Sequence, residues 1–184
     1  MRFIVFLFII QAFNSTAQDF NKIKSRLEQI NIESIKLRRQ VMPTINEFGI
    51  DSDEKVELDR KIVEFDSIAL EYVRGIVDNY GWLGKSEIGD LANQTLFLVI
   101  QHSQNAKVRK DYFPLLEKSV KMNDSDASYM ATMKDRMLVE EGQNQLYGTQ
   151  SRLVNGNLEL HPIEDPENVN KRRKAVGLKK LKRY

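Results

Sequence analysis

The chain has 184 residues, of which 29% are charged, and its formal net charge is +2. It contains no cysteine, which excludes a disulfide framework, a cysteine metal site and a thiol nucleophile. With only nine glycines and four prolines, the composition favours long helices over a many-turned β sandwich. The length is sufficient for one compact domain with a hydrophobic core.

The first seventeen residues predict a cleaved signal peptide. Arg2 supplies a positive charge, residues 3–10 form an unbroken apolar run, and Ala17 is a small residue at the expected cleavage site before Gln18. A membrane span needs roughly 20 apolar residues, so this run is too short. We therefore expect a periplasmic or extracellular protein whose mature chain has no transmembrane segment.

Basic residues are concentrated at the C-terminal end of the chain. Residues 171–184 contain eight basic residues and no acidic one. One interpretation is a solvated helix face whose positive charges interact favourably with the helix dipole. The other is an anionic partner such as lipid headgroups or nucleic acid. No aromatic residues are interleaved for base stacking, so we expect no nucleic acid partner and favour the first interpretation.

Apolar residues at helical spacing predict two long helices in the first half of the mature chain. The first covers residues 19–41 and is expected to end at Pro43. The second follows a predicted capping box formed by Asp51 and Glu54. Gly81 is expected to end it.

A third predicted helix contains the most apolar segment of the mature chain. Ser86 is its expected N-cap. Residues 96–100 are apolar on all sides, which indicates a buried central element. The helix is expected to end at residues 101–103.

Two shorter helices should follow. Pro114 is expected to open or kink the fourth. Asp124 or Ser125 can cap the fifth, which ends at Gly142. Its methionines, including Met133, lie on one helix face, which is typical of core packing rather than of a copper site.

Asn155-Gly156 predicts a β-hairpin with a type I′ turn. Because this turn fixes the pairing, Arg152 should face Glu159 across the strands. A lone hairpin is marginal in water, so we expect it to dock on the helices through one leucine face: Leu153, Leu158 and Leu160.

A last helix should be capped by Asp165, begin at Pro166 and end at Gly177. Together these elements predict an α+β fold, mainly α, with five to six helices and one C-terminal β-hairpin. Residues 18–184 are expected to form a single domain.

Five groups of residues occur in one order and carry a resemblance to a known family. Over roughly residues 30–180 the chain resembles an uncharacterised bacterial family, the domain of unknown function 6624 (DUF6624). The resemblance implies no established activity. The groups are Tyr80-Gly81-Trp82-Leu83-Gly84-Lys85-Ser86, Gln101-His102, Asp135-Arg136, Gln145-Leu146-Tyr147-Gly148-Thr149-Gln150, and Pro162-Ile163-Glu164-Asp165-Pro166-Glu167-Asn168-Val169 with Arg172-Arg173.

The chain departs from the family pattern at two places. An Asp-Gln-x-x-Arg pattern of the family appears here as Ser34-Ile35-Lys36-Leu37-Arg38, which keeps only the arginine. The Ala-Asp that follows the Gln-His pair in many members is replaced by Ser103 and Gln104. If the missing acidic residue belongs to a catalytic set, the resemblance implies that this chain is an inactive member.

His102 is the leading candidate for a general acid or base. It shares a helix face with apolar residues and lies near a helix C-terminus, two influences that act on its pKa in opposite directions. Asp135 can orient it, as a carboxylate does in a catalytic triad. The alternative is that His102 only secures the helix end and that Asp135 makes an ordinary ion pair.

A second set of polar residues can bind a ligand. Arg136 can hold a carboxylate or phosphate with two hydrogen bonds. Gln101, Tyr147, Thr149 and Gln150 can line a small-molecule pocket. Equally, the residues at the helix-to-strand junction can serve only to satisfy backbone groups at an irregular corner.

Trp82 lies in a glycine-flanked loop, where it can be a ligand platform or a core residue. The sequence has no nucleophile elbow, phosphate loop or metalloprotease motif, so we expect no metal and no cofactor. Two functions remain open: an exported module that binds a small molecule or a partner, and a hydrolase-like enzyme that uses His102 and Asp135.

Overall fold

The structure is a computed structural model, and it describes residues 3–154 and 157–182. These residues contain seven α-helices and one two-stranded antiparallel sheet. The predicted α+β fold, mainly α with a C-terminal hairpin, is confirmed. The chain divides into two compact units, Met1–Val99 and Ile100–Tyr184, which we describe separately. The single-domain expectation stays a prediction.

The first unit begins with three helices: α1 (Phe3–Arg38), α2 (Val41–Phe48) and α3 (Asp53–Tyr80). Both α1 and α2 pack against α3. The buried apolar side chains of α1 recur at helical spacing; they are Ile23, Leu27 and Ile30.

The helix break near Pro43 differs from the predicted one. The first helix ends at Arg38, and Pro43 lies in the first turn of α2. Proline is tolerated there because the N–H groups of a first turn have no intrahelical partner. The expectation that Pro43 ends a helix was therefore wrong.

One prediction for α3 is corrected at its beginning and another is confirmed at its end. Ser52, not Asp51, is the N-cap, and its hydroxyl accepts a hydrogen bond from the Lys55 N–H at 3.2 Å. In the first half of the helix Val56 and Val63 are exposed. Gly81 ends the helix as predicted, with a φ of 77°.

Helix α4 (Lys85–His102) crosses the division between the two units in its last turn. It begins one residue before the predicted cap Ser86, and the Gly84 N–H donates instead to the Glu87 carboxylate at 2.9 Å. The prediction of a buried segment is confirmed for Leu96, Phe97 and Ile100.

The second unit continues with α5 (Ala106–Lys121) and α6 (Ala127–Glu140), which pack against each other. Pro114 lies inside α5 and does not open it, because the helix begins eight residues earlier after the N-cap Asn105. The cap of α6 is Asp126, whose carboxylate accepts from the Ser128 N–H at 2.8 Å, rather than Asp124 or Ser125. Capping depends on which residue has extended backbone angles, and that is a property of the preceding turn.

The hairpin of β1 (Ser151–Val154) and β2 (Asn157–Leu160) has the predicted register, with Arg152 opposite Glu159. The turn itself, Asn155-Gly156, lies outside the described residues. The docking prediction was wrong for Leu158, whose side chain is 79% exposed. The base of the hairpin is instead held by hydrogen bonds of a buried glutamine, Gln145, described below.

The hairpin is followed by a short 3₁₀ turn, Pro166–Asn168, and by α7 (Val169–Ala175). Asp165 precedes the turn as predicted but makes no capping hydrogen bond, because its carboxylate accepts from the side chains of Asn168 and Arg172. Among the described residues, no helix combines the length and apolar character that a membrane crossing requires.

Candidate functional site

Asp135 lies at the centre of a polar cluster in the second unit. Its side chain on α6 is fully buried. It accepts hydrogen bonds from the backbone N–H groups of Leu146 at 2.7 Å, Tyr147 at 3.0 Å and Thr149 at 3.0 Å. The Thr149 hydroxyl adds a fourth donor at 2.9 Å. Four donors compensate the desolvation of the buried carboxylate.

Gln145 fixes the corner between this loop and the hairpin. It is also fully buried, and its amide nitrogen donates to the carbonyl oxygens of Gln150 at 3.0 Å and His161 at 2.8 Å. Its amide oxygen accepts from the Gln150 N–H at 2.8 Å. One side chain thus pairs with the backbone of both strands where the hairpin begins.

Two arginines of α7 bind the carbonyl groups of the same loop. Arg173 donates to the carbonyl oxygens of Tyr147 at 2.6 Å and Gly148 at 3.2 Å. Arg172 donates to the carbonyl oxygen of Leu146 at 2.7 Å. The loop therefore presents its N–H groups to a carboxylate and its carbonyl groups to guanidinium groups, which are their strongest partners.

These contacts perturb the neighbouring ionisable groups. Burial raises the pKa of Tyr147, and the Asp135 carboxylate raises it further, while Arg172 acts in the opposite direction. Burial lowers the pKa of Arg173, and Asp135 partly offsets this effect. Both shifts follow from the partial burial of these side chains.

The predicted residues Asp135, Tyr147, Thr149 and Gln150 are thus brought together. The Gln150 side chain joins them by donating to the Thr149 hydroxyl at 2.9 Å. The contacts account for these residues as partners of backbone groups at an irregular corner, which is the structural alternative raised above. The pairing of Asp135 with His102, and a ligand role for the loop, stay predictions.

A second cluster surrounds Arg109 on α5, which is 1% exposed. Its guanidinium donates to the carbonyl oxygens of Gln101 and Ser103, on either side of His102, and to the Glu140 carboxylate on α6. Arg109 therefore secures the C-terminal end of α4, where unpaired carbonyl groups accumulate. His102 itself is half-buried.

Two predicted ligand residues, Gln101 and Arg136, adjoin Arg109. Gln101 is 3% exposed, and its amide oxygen has no hydrogen-bond partner among the described residues. The buried Nε of Arg136 likewise has none within the part of the chain that is described. Burial lowers the pKa of Arg136, and the positive charge of Arg109 lowers it further, while Glu140 raises it.

Arg109 and Glu140 were not identified from the sequence. A signal existed for the arginine, because it is spaced three and seven residues before the apolar positions Tyr112 and Leu116. That spacing places its charge on the buried face of α5. No comparable pattern marks Glu140.

In the first unit, the retained arginine of the family pattern has a carboxylate partner. Nη2 of Arg38 donates to both carboxylate oxygens of Asp66 on α3 at 2.8 Å. Nη1 donates to the Ser34 hydroxyl at 2.7 Å. Arg38 therefore has an acidic partner on another helix, although position 34 is a serine.

The first unit also contains Trp82, which is half-buried in the loop between α3 and α4. A groove of about 660 Å³ runs along α1 and α3 of this unit, lined by apolar and aromatic side chains that include Ile23, Tyr72, Ile76 and Tyr80. None of the predicted site residues lines this groove. In the described part of the chain no group of three histidine or acidic side chains could hold a metal ion.

Comparison with known proteins places the chain in a family. No curated protein and no solved structure matches it. The model of a family of unknown function, DUF6624, matches residues 26–184. Since this match covers most of the chain and includes both clusters of the second unit, the chain belongs to the DUF6624 family.

Proposed function

We propose that the Ile100–Tyr184 unit binds a small organic anion through Arg136 and Gln101. The observation that carries the proposal is that two buried polar atoms of this unit, Arg136 Nε and Gln101 Oε1, have no hydrogen-bond partner among the described residues. A buried polar group left unpaired costs roughly 1–3 kcal/mol. A ligand that offers an acceptor to the arginine and a donor to the amide recovers this cost.

The charge of the cluster favours an anion. The cluster holds two guanidinium groups, Arg109 and Arg136, and one carboxylate, Glu140, so its net charge is positive. Arg109 is already engaged by Glu140 and by backbone carbonyl groups. Arg136 is the cation that its surroundings destabilise, and a carboxylate or phosphate matches the planar fork of its guanidinium group.

Thermal-shift measurements with a panel of small carboxylates and phosphates test the proposal. We expect at least one compound to raise the Tm of the wild-type chain and to have no effect on Arg136→Gln. The buried Nε–H group of Arg136 is a donor without an acceptor among the described residues. Arg136→Gln should therefore leave the unliganded protein as stable as the wild type or slightly more stable. Arg152→Gln is the matched control, since it makes the same change at an exposed arginine.

The control variant should respond to ligand as the wild type does. The proposal fails if no compound stabilises the wild type, or if Arg136→Gln responds to every stabilising compound as Arg152→Gln does. A marked loss of stability in unliganded Arg136→Gln would also contradict it. That result would assign Arg136 a structural role that its contacts do not explain.

We further propose that the protein acts outside the cytoplasm, in the periplasm or the extracellular medium. The support is the charged, apolar and small-residue pattern of residues 1–17. N-terminal sequencing of protein recovered from a secreting bacterial host tests this. The proposal predicts a mature chain that starts at Gln18, whereas an intact Met1 would contradict it.

A further inference from the structure

The chain reverses direction after α7 and runs back along this helix. The reversal occurs at Gly177, whose φ of 74° belongs to the left-handed region that favours glycine. The Leu178 N–H donates to the carbonyl oxygen of Arg173 at 2.9 Å, and the Gly177 N–H donates to that of Lys174 at 3.3 Å. These two bonds form the glycine C-cap common at helix ends.

Two further contacts fix the returning segment. The Asn170 side chain accepts from the Leu181 N–H at 2.8 Å and donates to the Leu181 carbonyl oxygen at 3.3 Å. Arg173 donates to the carbonyl oxygen of Lys179. Lys179 makes one of these contacts, and Lys180 and Lys182 are the chain neighbours of Leu181. Because consecutive residues are about 3.8 Å apart, these three lysines lie beside α7.

This arrangement brings together five exposed lysines on α7 and on the segment that runs back along it. None of them forms an ion pair with a described acidic residue. We call this surface the lysine platform; it consists of Lys171, Lys174, Lys179, Lys180 and Lys182. The two arginines of α7, Arg172 and Arg173, do not belong to the platform, because their guanidinium groups donate to carbonyl oxygens of the loop.

The helix-dipole interpretation of the basic C-terminal residues does not cover the whole platform. The dipole acts within the last turn of a helix, and α7 ends at Ala175. Lys179, Lys180 and Lys182 follow the reversal and gain nothing from a helix terminus. The helix dipole therefore does not explain why the fold holds these positive charges close together.

We propose that the lysine platform docks the protein on an anionic lipid surface. Lysine carries a compact, strongly hydrated charge on a flexible stem, which suits diffuse attraction to a plane of headgroups better than bidentate recognition. No aromatic residue occurs within residues 169–182, so the platform lacks the side chains that stack on nucleic acid bases.

The charge distribution of the whole chain supports a flat, one-sided partner. Residues 1–170 contain 20 basic and 26 acidic residues, a net charge of −6. The rest of the chain therefore has a net charge of the same sign as an anionic surface, so such a surface attracts the chain through the platform.

Sedimentation with lipid vesicles tests this docking. The full chain is mixed with phosphatidylcholine vesicles, or with vesicles that contain 30% phosphatidylglycerol, and the ratio of the two partition coefficients is measured. Binding by the apolar residues 3–10 does not require anionic lipid. It therefore contributes equally to both partition coefficients and cancels in their ratio. Each lysine should contribute about a five-fold factor to the ratio at moderate salt.

The test variant carries four substitutions, K174Q, K179Q, K180Q and K182Q, and we expect it to lower the ratio by roughly 100-fold or more. The control variant also replaces four lysines by glutamine, on α5 of the same unit, so that its net charge changes by the same amount. These lysines are Lys107, Lys110, Lys118 and Lys121. It should lower the ratio only slightly. Thermal melts verify that both variants are folded, and added salt should weaken wild-type binding.

Three outcomes would overturn the proposal. One is a wild-type ratio near one. Another is an equal loss in the test and control variants, which would assign binding to net charge alone. The third is tighter binding of the wild type to a short DNA duplex than to the anionic vesicles, which would point to a different polyanion.

Discussion

Asp135 stabilises the loop of residues 146–149 by accepting three of its backbone N–H groups. The carboxylate is fully buried, and the loop has no repeating secondary structure to satisfy these donors. Buried backbone groups need partners, and a charged acceptor is roughly twice as strong as a neutral one. The same loop carries the polar sequence that first suggested a ligand pocket.

Asp135→Asn should therefore destabilise the protein although it is nearly isosteric. The amide has only one acceptor oxygen and turns an N–H₂ group toward backbone donors. We expect a loss of about 2–4 kcal/mol in the free energy of unfolding, measured by urea denaturation. Asp111→Asn, at an exposed residue paired with Lys107, is the control and should cost less than about 1 kcal/mol. Similar losses in the two variants would contradict the role assigned to Asp135.

At this scale the sequence identified residues better than it identified their roles. Asp135, Tyr147, Thr149 and Gln150 were singled out because their motifs resemble those of the family, and they do form one cluster. Their hydrogen bonds cross 11 to 14 residues of chain in the case of Asp135, and no local pattern specifies such contacts. For the same reason Glu140, the partner of Arg109, could not be predicted.

Among the elements, the hairpin shows what the local sequence can predict. It predicts the register of the two strands but not how the hairpin packs against the rest of the fold. An Asn-Gly pair predicts the register from the local sequence, and the observed pairs of β1 and β2 agree with this prediction. Docking depends on the rest of the fold, and there the prediction failed at Leu158. The sequence pattern does not predict the short helix α2, because a proline is compatible both with the end of one helix and with the first turn of the next.

A side chain at Gly148, in the loop beside the hairpin, should be destabilising. Its φ is 66°, and an added Cβ would lie 2.8 Å from Leu181 Cδ1 and 2.9 Å from Ile163 Cδ1. Gly142 has a similar φ of 72° but open space around the Cβ position. Gly142→Ala should therefore report backbone strain alone, about 1–2 kcal/mol.

Gly148→Ala should cost about 1–3 kcal/mol more than Gly142→Ala, because the neighbouring side chains must also move. Chemical denaturation of the two variants, measured side by side, gives this difference. Equal losses would show that Leu181 and Ile163 do not pack against the loop as described.

The contact of Arg38 with Asp66 joins α1 to α3. It gives Arg38 an acidic partner although the acidic residue of the family pattern is missing at position 34. Asp66→Asn should lower the free energy of unfolding by about 1 kcal/mol, since the pair is only partly shielded from water. Ser34→Asp restores an acidic residue four positions before Arg38 and should recover most of this loss in the double variant. If the Ser34→Asp effect is the same with and without Asp66, the two acidic positions do not share Arg38.

For the whole molecule, the fold class followed from helical spacing and one turn signal, whereas the function did not follow from any motif. Family membership adds no activity. The most specific functional evidence is physical: a half-buried arginine whose Nε lacks a partner among the described residues, next to a second arginine that already has one. Such an arrangement costs stability, and the proposal is that an anionic ligand removes the cost.

The most direct test is to observe the Arg136 Nε–H group by ¹⁵N NMR during titration of the full chain with acetate and with inorganic phosphate. Comparison with Arg136→Lys assigns the signal, and Arg152 provides an exposed reference. We predict that the Arg136 signal moves to lower field and saturates with at least one of the two anions, while the Arg152 signal stays unsaturated. An Arg136 signal that neither anion moves, or that only follows Arg152, would contradict anion binding at this site.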